Sequence, residues 1–293
     1  MSELFAIRIG EVAISVSGDR PEKDWSIPPA CGRFLCQAEP DIRLRLGREP
    51  LEMPEAEQVF DCPPIWSLLR RNGVSFVRIF ADYPGLETTL VLPDHLQEAE
   101  LLGSGTTNRL PDPFYGPTLE LLMMTYLAED RGAILHACGV AKEGRGLLFV
   151  GESGAGKSTM ARMWAREEGF AVLSDDRVIV RPKGQGYWMY GTPWHGEAAF
   201  AAPLGVRLER IFFLKHGERN SLQESTGIDP LSRFVTCSFL PHWDDRGMAF
   251  SLEFLAELAA TIPCQELTFT PDRRAIDLVK NLSPARPGPA GLR

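Results

Sequence analysis

The sequence predicts an α/β chain, with a β-rich N-terminal lobe followed by a core in which strands and helices alternate. Three observations predict it. Between Leu4 and about Leu102, short runs such as "FAIRIGEVAISVSG", "RLRLG", "VSFVRIFADY" and "TTLVL" alternate apolar and polar residues, the period-two pattern of half-buried strands. Further on, the apolar strand "GLLFV" runs straight into a glycine-rich loop and then into "KSTMARMWAREEG", a segment of helical character closed by Gly169. Finally, "FAVLSDDRVIV" brings an apolar strand back to the sheet directly after that helix, the strand–helix–strand order of a parallel pair.

Each element can be justified in order. Pro, Gly and Asp break the N-terminal runs, which makes residues 1–112 a mostly antiparallel β lobe. Within it "IWSLLRRNG" is expected to be a short helix, with Asn72-Gly73 turning the chain into the next strand. Residues 103–113, "GSGTTNRLPDP", have the composition of a linker. The core then spans 113–283. It opens with a helix over "PTLELLMMTYLAED", where Leu119, Leu121, Leu122, Met123, Tyr126 and Leu127 stand at helical spacing and Arg131-Gly132 ends the run. "AILHACGVA" and "GRGLLFVGE" read as two strands joined by "KEGRG". The distal segments "SRFVTCSFL", "RGMAFSLEFLAELAATIP", "CQELTFT" and "DRRAIDLVKNL" alternate helix with strand and read as scaffold, and the Pro- and Gly-rich residues 284–293 as a mobile tail.

Composition excludes some functions. A formal net charge of -8 argues against non-specific binding of a polynucleotide, which needs clustered Lys and Arg on one face, so any nucleic acid here would be a nucleotide. The longest apolar runs fall short of the roughly 20 residues needed to span a bilayer. Six cysteines without a CxxC pair, in a chain that opens "MSELFAIRIG", lead to the expectation of reduced thiols and a cytoplasmic location.

The chemistry is concentrated in a few short stretches. Gly151, Gly156, Lys157 and Ser158 fit the G-x-x-x-x-G-K-[ST] phosphate-loop pattern, with Ser153, Gly154 and Ala155 between them. Glycines there allow backbone N–H groups to turn onto phosphate oxygens at the positive end of a helix, Lys157 neutralises phosphate charge, and the Ser158 hydroxyl can ligate magnesium. Thr159 either joins the phosphate contacts or packs within the helix. Asp175 and Asp176 follow Ser174 at the end of the next strand, which turns two carboxylates toward the loop. One can hold magnesium while the other accepts a proton from an attacking hydroxyl; alternatively Ser-Asp-Asp is turn material ahead of a hairpin in "RVIVRPKGQGYWMYG".

His136 lies on an apolar strand expected beside the loop strand, as a core residue or a member of the site. "GTPWHGE", residues 191–197, offers His195 and Glu197 as substrate-positioning side chains, or is a turn holding a packed Trp194. Arg177, Arg207 and Arg210 could reach phosphate or could be solvated strand positions.

Taken together, the His136 strand, "GESGAGKST", "LSDDRVIV", "GTPWHGE" and "PCQELTFTPD" resemble the HPr kinase/phosphorylase family, and more remotely the ATP-dependent phosphoenolpyruvate carboxykinases. The likeness covers about Leu119 to Asp277. It implies a P-loop kinase core of HPr kinase/carboxykinase type, with ATP and magnesium at Gly151–Thr159. By the same likeness Lys157, His136, Asp175 and Asp176 would be catalytic, Ser158 and Asp176 the magnesium side, and Asp175 the preferred base. The acceptor it implies is a hydroxyl, that of a serine in a peptide or small carrier protein. A nucleotide-hydrolysing switch and a small-molecule or carboxykinase-like phosphotransferase are the alternatives. The chain carries Thr159 where the family prototype has Glu, and it lacks the segment tied to the reverse reaction. The prototype's assembly is not carried over, although a homo-oligomer stays open.

Overall fold

The period-two runs at the start of the chain fold as a sheet. The computed structural model describes residues 2–19, 26–48, 55–80, 86–105 and 110–282. Residues 284–293, expected to be a tail, and 106–109 of the expected linker lie outside them. The chain divides into two units, Met1–Tyr126 with Pro241–Asp245, and Leu127–Leu240 with Arg246–Arg293. Both sheets contain parallel and antiparallel pairs, and with the helices they make an α/β protein.

In the first unit the elements are β1 (Ser2–Ile9), β2 (Val12–Gly18), the one-turn α1 (Pro29–Gly32), β3 (Ile42–Gly47) and β4 (Glu57–Cys62), then β5 (Trp66–Arg71), β6 (Val74–Ile79), β7 (Leu86–Leu92), β8 (Glu98–Gly105) and α2 (Thr118–Leu127). The eight strands lie in the order β1-β2-β3-β8-β7-β6-β5-β4. The β2–β3 and β3–β8 pairs are parallel and the others antiparallel. Alternate residues such as Ile14, Leu44, Leu68, Val77, Leu90 and Leu101 are completely buried, as strands with one apolar face require.

The helix expected over "IWSLLRRNG" is a strand, β5. Asn72 (φ 48) and Gly73 (φ 79) are both left-handed, which is the turn that matches the twist of a tight hairpin, so Arg71 pairs with Val74 and the preceding residues are drawn into the sheet. The segment Pro241–Asp245 belongs to this unit through Trp243, whose ring meets Trp66 edge-on at 5.3 Å and Phe60 at 5.8 Å. α2 ends where Asp130 (φ 60) reverses the chain and both Arg131 N and Gly132 N donate to Leu127 O.

The second unit contains β9 (Ala133–Lys142), β10 (Arg145–Val150), α3 (Lys157–Trp164), β11 (Ala171–Ser174), β12 (Arg177–Lys183), β13 (Gly186–Gly191), β14 (Gly205–His216), β15 (Ser221–Glu224), α4 (Asp229–Thr236), β16 (Ser238–Phe239), α5 (Asp245–Thr261), β17 (Cys264–Phe269) and α6 (Arg273–Lys280). β10 pairs antiparallel with β9 and parallel with β14; β9 pairs with β12, β12 with β13, and β13 with β14, so these five strands close a circuit. Alternation along the strands divides the core into two faces. Ala137, Val178, Ile211 and Phe213 pack with Phe234 of α4 and Phe254, Leu255 and Leu258 of α5. Cys138, Phe149, Phe212 and Leu267 pack with Met160 and Trp164 of α3 and Ile276 and Val279 of α6. Helices therefore cover both faces of the sheet, the layering of an α/β domain.

One expectation about strand order changes. β11 runs in the same direction as β10, but the two are not neighbours, because β9 lies between them and pairs antiparallel with each. β9 has the apolar residues to be buried on both faces and so takes the interior position.

All six cysteines are free. Burial pushes the Cys31 thiol up to about 11 and that of Cys264 up to about 12, with a smaller push in the same direction from Asp112 and Glu224 respectively, so neither is a reactive thiolate at neutral pH. Among the described residues no helix is long and apolar enough to cross a membrane.

Candidate active site

The strand β10 delivers the chain to residue 151, and the loop 151–156 turns it into α3. Gly156 is the N-cap, at φ 98, and it provides no capping side chain for the N–H groups of the first helical turn. A side chain here would be strained by that φ and would place a Cβ 2.7 Å from the Phe269 ring. The opening of α3 thus presents unpaired donors and the positive end of a helix dipole, the local geometry that receives anions. His216, at the end of β14, closes one side of the loop: its Nε2 lies 2.7 Å from Gly154 O and its ring stacks on Phe269 at 5.8 Å.

Lys157 is buried, and its Nζ donates to Gly151 O at 2.9 Å and Glu152 O at 2.8 Å. Burial lowers its pKa; the negative groups around it, Asp176 foremost, offset only part of that. The ammonium is held by two carbonyls, and no carboxylate is bonded to it among the described residues.

The two aspartates occupy different environments. Ser174 Oγ accepts from the N–H groups of Asp176 and Arg177 at 3.3 and 3.2 Å and donates to Trp194 O, so Ser-Asp-Asp does form the turn that its composition allowed. Asp175 is 1% exposed. Its Oδ1 accepts from Gly196 N (3.0 Å) and Phe200 N (3.2 Å), and its Oδ2 from Ala198 N (2.9 Å) and Ser158 Oγ (3.0 Å). Those four donors fill the roughly four lone-pair sites of a carboxylate. Asp176 is more open, with Oδ1 2.9 Å from His136 Nε2 and Oδ2 bonded to Arg177. Burial raises its pKa, but the His136 hydrogen bond and the charges of Arg177, His136 and Lys157 prevail and hold the carboxyl below its ordinary range.

His136 is fixed from both sides of β9. Its N–H donates to Cys237 O at 2.7 Å, and the next residue, Ala137, donates to Asp176 O at 2.9 Å. The His136 ring meets the Phe239 ring edge-on at 6.3 Å, while the Arg177 guanidinium lies 4.9 Å from the centroid of the Phe239 ring. Phe239, Arg177 and Asp176 therefore form one wall around the imidazole.

The structure brings Lys157, Ser158, Asp175, Asp176 and His136 together, and Thr159 is half-buried on the first turn of α3. The 191–197 loop takes part through its backbone: the N–H of Gly196 anchors Asp175, whereas His195 and Glu197 are exposed and His195 Nδ1 lies 3.0 Å from Gly196 O. Arg207 pairs in register with Arg145 at the end of β10 remote from the loop. Sequence reasoning missed Phe239 and His216, which sit in segments of ordinary strand composition and reach the site only through the sheet. It also missed the backbone donors of Gly196, Ala198 and Phe200.

A Cβ at Gly196 would lie 2.8 Å from Asp175 Oδ2 and 3.3 Å from Ser158 Oγ. Gly196→Ala is accordingly expected to cost about 1–3 kcal/mol of stability. Glu197→Ala, at an exposed neighbouring position, is expected to cost under about 0.5 kcal/mol. Urea unfolding of the two variants checks the contrast; equal effects would mean that the loop does not press on Asp175.

Among the described residues no group of three or more His, Cys, Asp or Glu side chains is arranged as a metal cage. The hard oxygen donors Ser158 Oγ and Asp176 suit magnesium, which is commonly held by one or two carboxylates together with substrate phosphates.

No family model matches the sequence, and no curated protein does. Among solved structures, the HPr(Ser) kinase/phosphatase from Coxiella burnetii aligns with 50% of this chain and 94% of its own, at 12% identity and a TM-score of 0.29. That likeness is remote, and the roles of the residues here rest on their own geometry.

Proposed function

We propose that this protein is a phosphotransferase that moves the γ-phosphate of ATP to a hydroxyl, that of a serine in a peptide or small carrier protein. The observation that carries the reading is the junction of the uncapped α3 terminus with two unlike aspartates through the Ser158–Asp175 hydrogen bond. A donor-rich loop can bind phosphate, and the half-open carboxylate beside it can accept a proton from an attacking hydroxyl.

In this reading the loop 151–159 and Lys157 hold the triphosphate. Ser158 donates a hydrogen bond to Asp175 Oδ2, and its hydroxyl oxygen would be the group that holds magnesium. Magnesium bound there would neutralise charge on the phosphate oxygens. Asp175 has no lone pair left for a metal and orients Ser158. The base is then Asp176 in place of Asp175, the residue preferred on sequence grounds, because Asp176 is the carboxylate open to an incoming hydroxyl. The acceptor oxygen bonds to the γ-phosphorus, the bond from that phosphorus to the β–γ bridging oxygen breaks, ADP leaves, and the acceptor proton passes to Asp176. His136 holds the carboxylate in place.

The test supplies ATP labelled on its γ-phosphate, magnesium and a lysate of the source cell. Label on a serine of a peptide or protein is expected. Label in a metabolite would change the acceptor class, and label only in inorganic phosphate would favour a nucleotide-driven switch.

A further inference from the structure

α3 ends at Trp164, and beyond that end lies a pocket of about 470 Å³ that the chemistry above does not use. Its size falls in the range of small-molecule sites, roughly 300–1,000 Å³. The floor is apolar, built from Leu147 of β10, Trp164, Phe170 and Val279 of α6. The rim carries Lys142, Arg145, Arg210 and Lys280 against only Glu143 and Glu209. Cations therefore outnumber acids around an aromatic floor.

The cations are also placed unusually. Lys142 Nζ lies 4.8 Å and Lys280 Nζ 5.3 Å from the centroid of the same ring, Phe170. Arg145 Nε is neutralised by Glu209 Oε1 at 3.0 Å, and Lys280 reaches Glu167. Lys142 has no carboxylate partner among the described residues. Lys142 is thus the rim ammonium whose charge no carboxylate offsets among the described residues, and a ligand carboxylate would supply that partner.

We propose that this pocket binds a small aromatic carboxylate, with its ring against Phe170 and Leu147 and its carboxylate at Lys142. The site is separate from the loop at the other end of α3 and does not depend on the phosphotransferase reading.

The experiment titrates the full chain with 2-naphthoate by calorimetry, using 2-naphthalenemethanol as the uncharged analogue. One site is expected, weakened about tenfold in Lys142→Gln, as loss of one charge-assisted contact implies. The alcohol is expected to bind at least about tenfold more weakly than the acid. Lys157→Met, which removes the loop cation, should leave naphthoate affinity unchanged. The proposal is overturned if the alcohol binds equally well, if Lys142→Gln has no effect, if Lys157→Met abolishes binding, or if about 1 mM naphthoate gives no binding heat.

Discussion

Asp176→Asn is expected to slow phosphoryl transfer by about 10²–10⁴-fold, the range for loss of a general base, while nucleotide affinity stays within about threefold of wild type. The amide keeps the shape of the side chain and can still accept from His136, but it cannot take a proton. The outcome separates the two aspartates, because Asp175 is saturated by Gly196, Ala198, Phe200 and Ser158 whereas Asp176 is partly open. Wild-type transfer in Asp176→Asn, with loss in a folded Asp175→Asn, would return the base role to Asp175.

A pH measurement accompanies it. The folded-state pKa of Asp176 is lowered, so the folded chain prefers the ionised form. Its contribution to stability is present above the unfolded carboxylate value and disappears as the pH falls through the folded value. Acid unfolding of Asp176→Asn should therefore lack that part of the pH dependence.

Lys157→Met is the second large effect: transfer falls below detection, yet stability stays within about 1 kcal/mol of wild type or exceeds it. A buried ammonium held only by Gly151 O and Glu152 O is retained at a cost to folding, as its lowered pKa shows. With the folded pKa below the unfolded one, the unfolded chain binds more protons between the two values. Wild-type stability should thus rise with pH across that alkaline window, and the Met variant should lack the rise. A loss of several kcal/mol in Lys157→Met would instead make the lysine a structural member of the loop.

How much of this was legible in the sequence follows from the range of each interaction. The loop 151–158 and the helix after it are local: glycines, a lysine and a hydroxyl at fixed offsets determine their shape, so the stretch could be read directly. That Ser174-Asp175-Asp176 ends an apolar strand was readable for the same reason, and the turn it forms was one of two readings its composition allowed. β5 was misread because "WSLLRR" has apolar residues at spacings that suit either period, and only the paired left-handed residues at 72 and 73 decide for the strand. Phe239, His216 and the donors at 196–200 are joined to the site by strand pairing and loop packing between distant segments. Nothing in their local composition announces that placement. The difference between Asp175 and Asp176 was equally invisible, since it depends on which carboxylate meets four donors and which meets an imidazole.

The hydrogen bond from His136 to Cys237 joins positions about a hundred residues apart, and non-local pairings of this kind form slowly. The wall around the imidazole is incomplete until β16 has been made and has found β9. On the ribosome, the segment bearing the loop, the lysine and both aspartates emerges well before Phe239 does. A nascent chain stopped near residue 200 would therefore carry the loop, the lysine and both aspartates and still lack one side of the site, which is completed late in synthesis, with the closing of a two-residue strand.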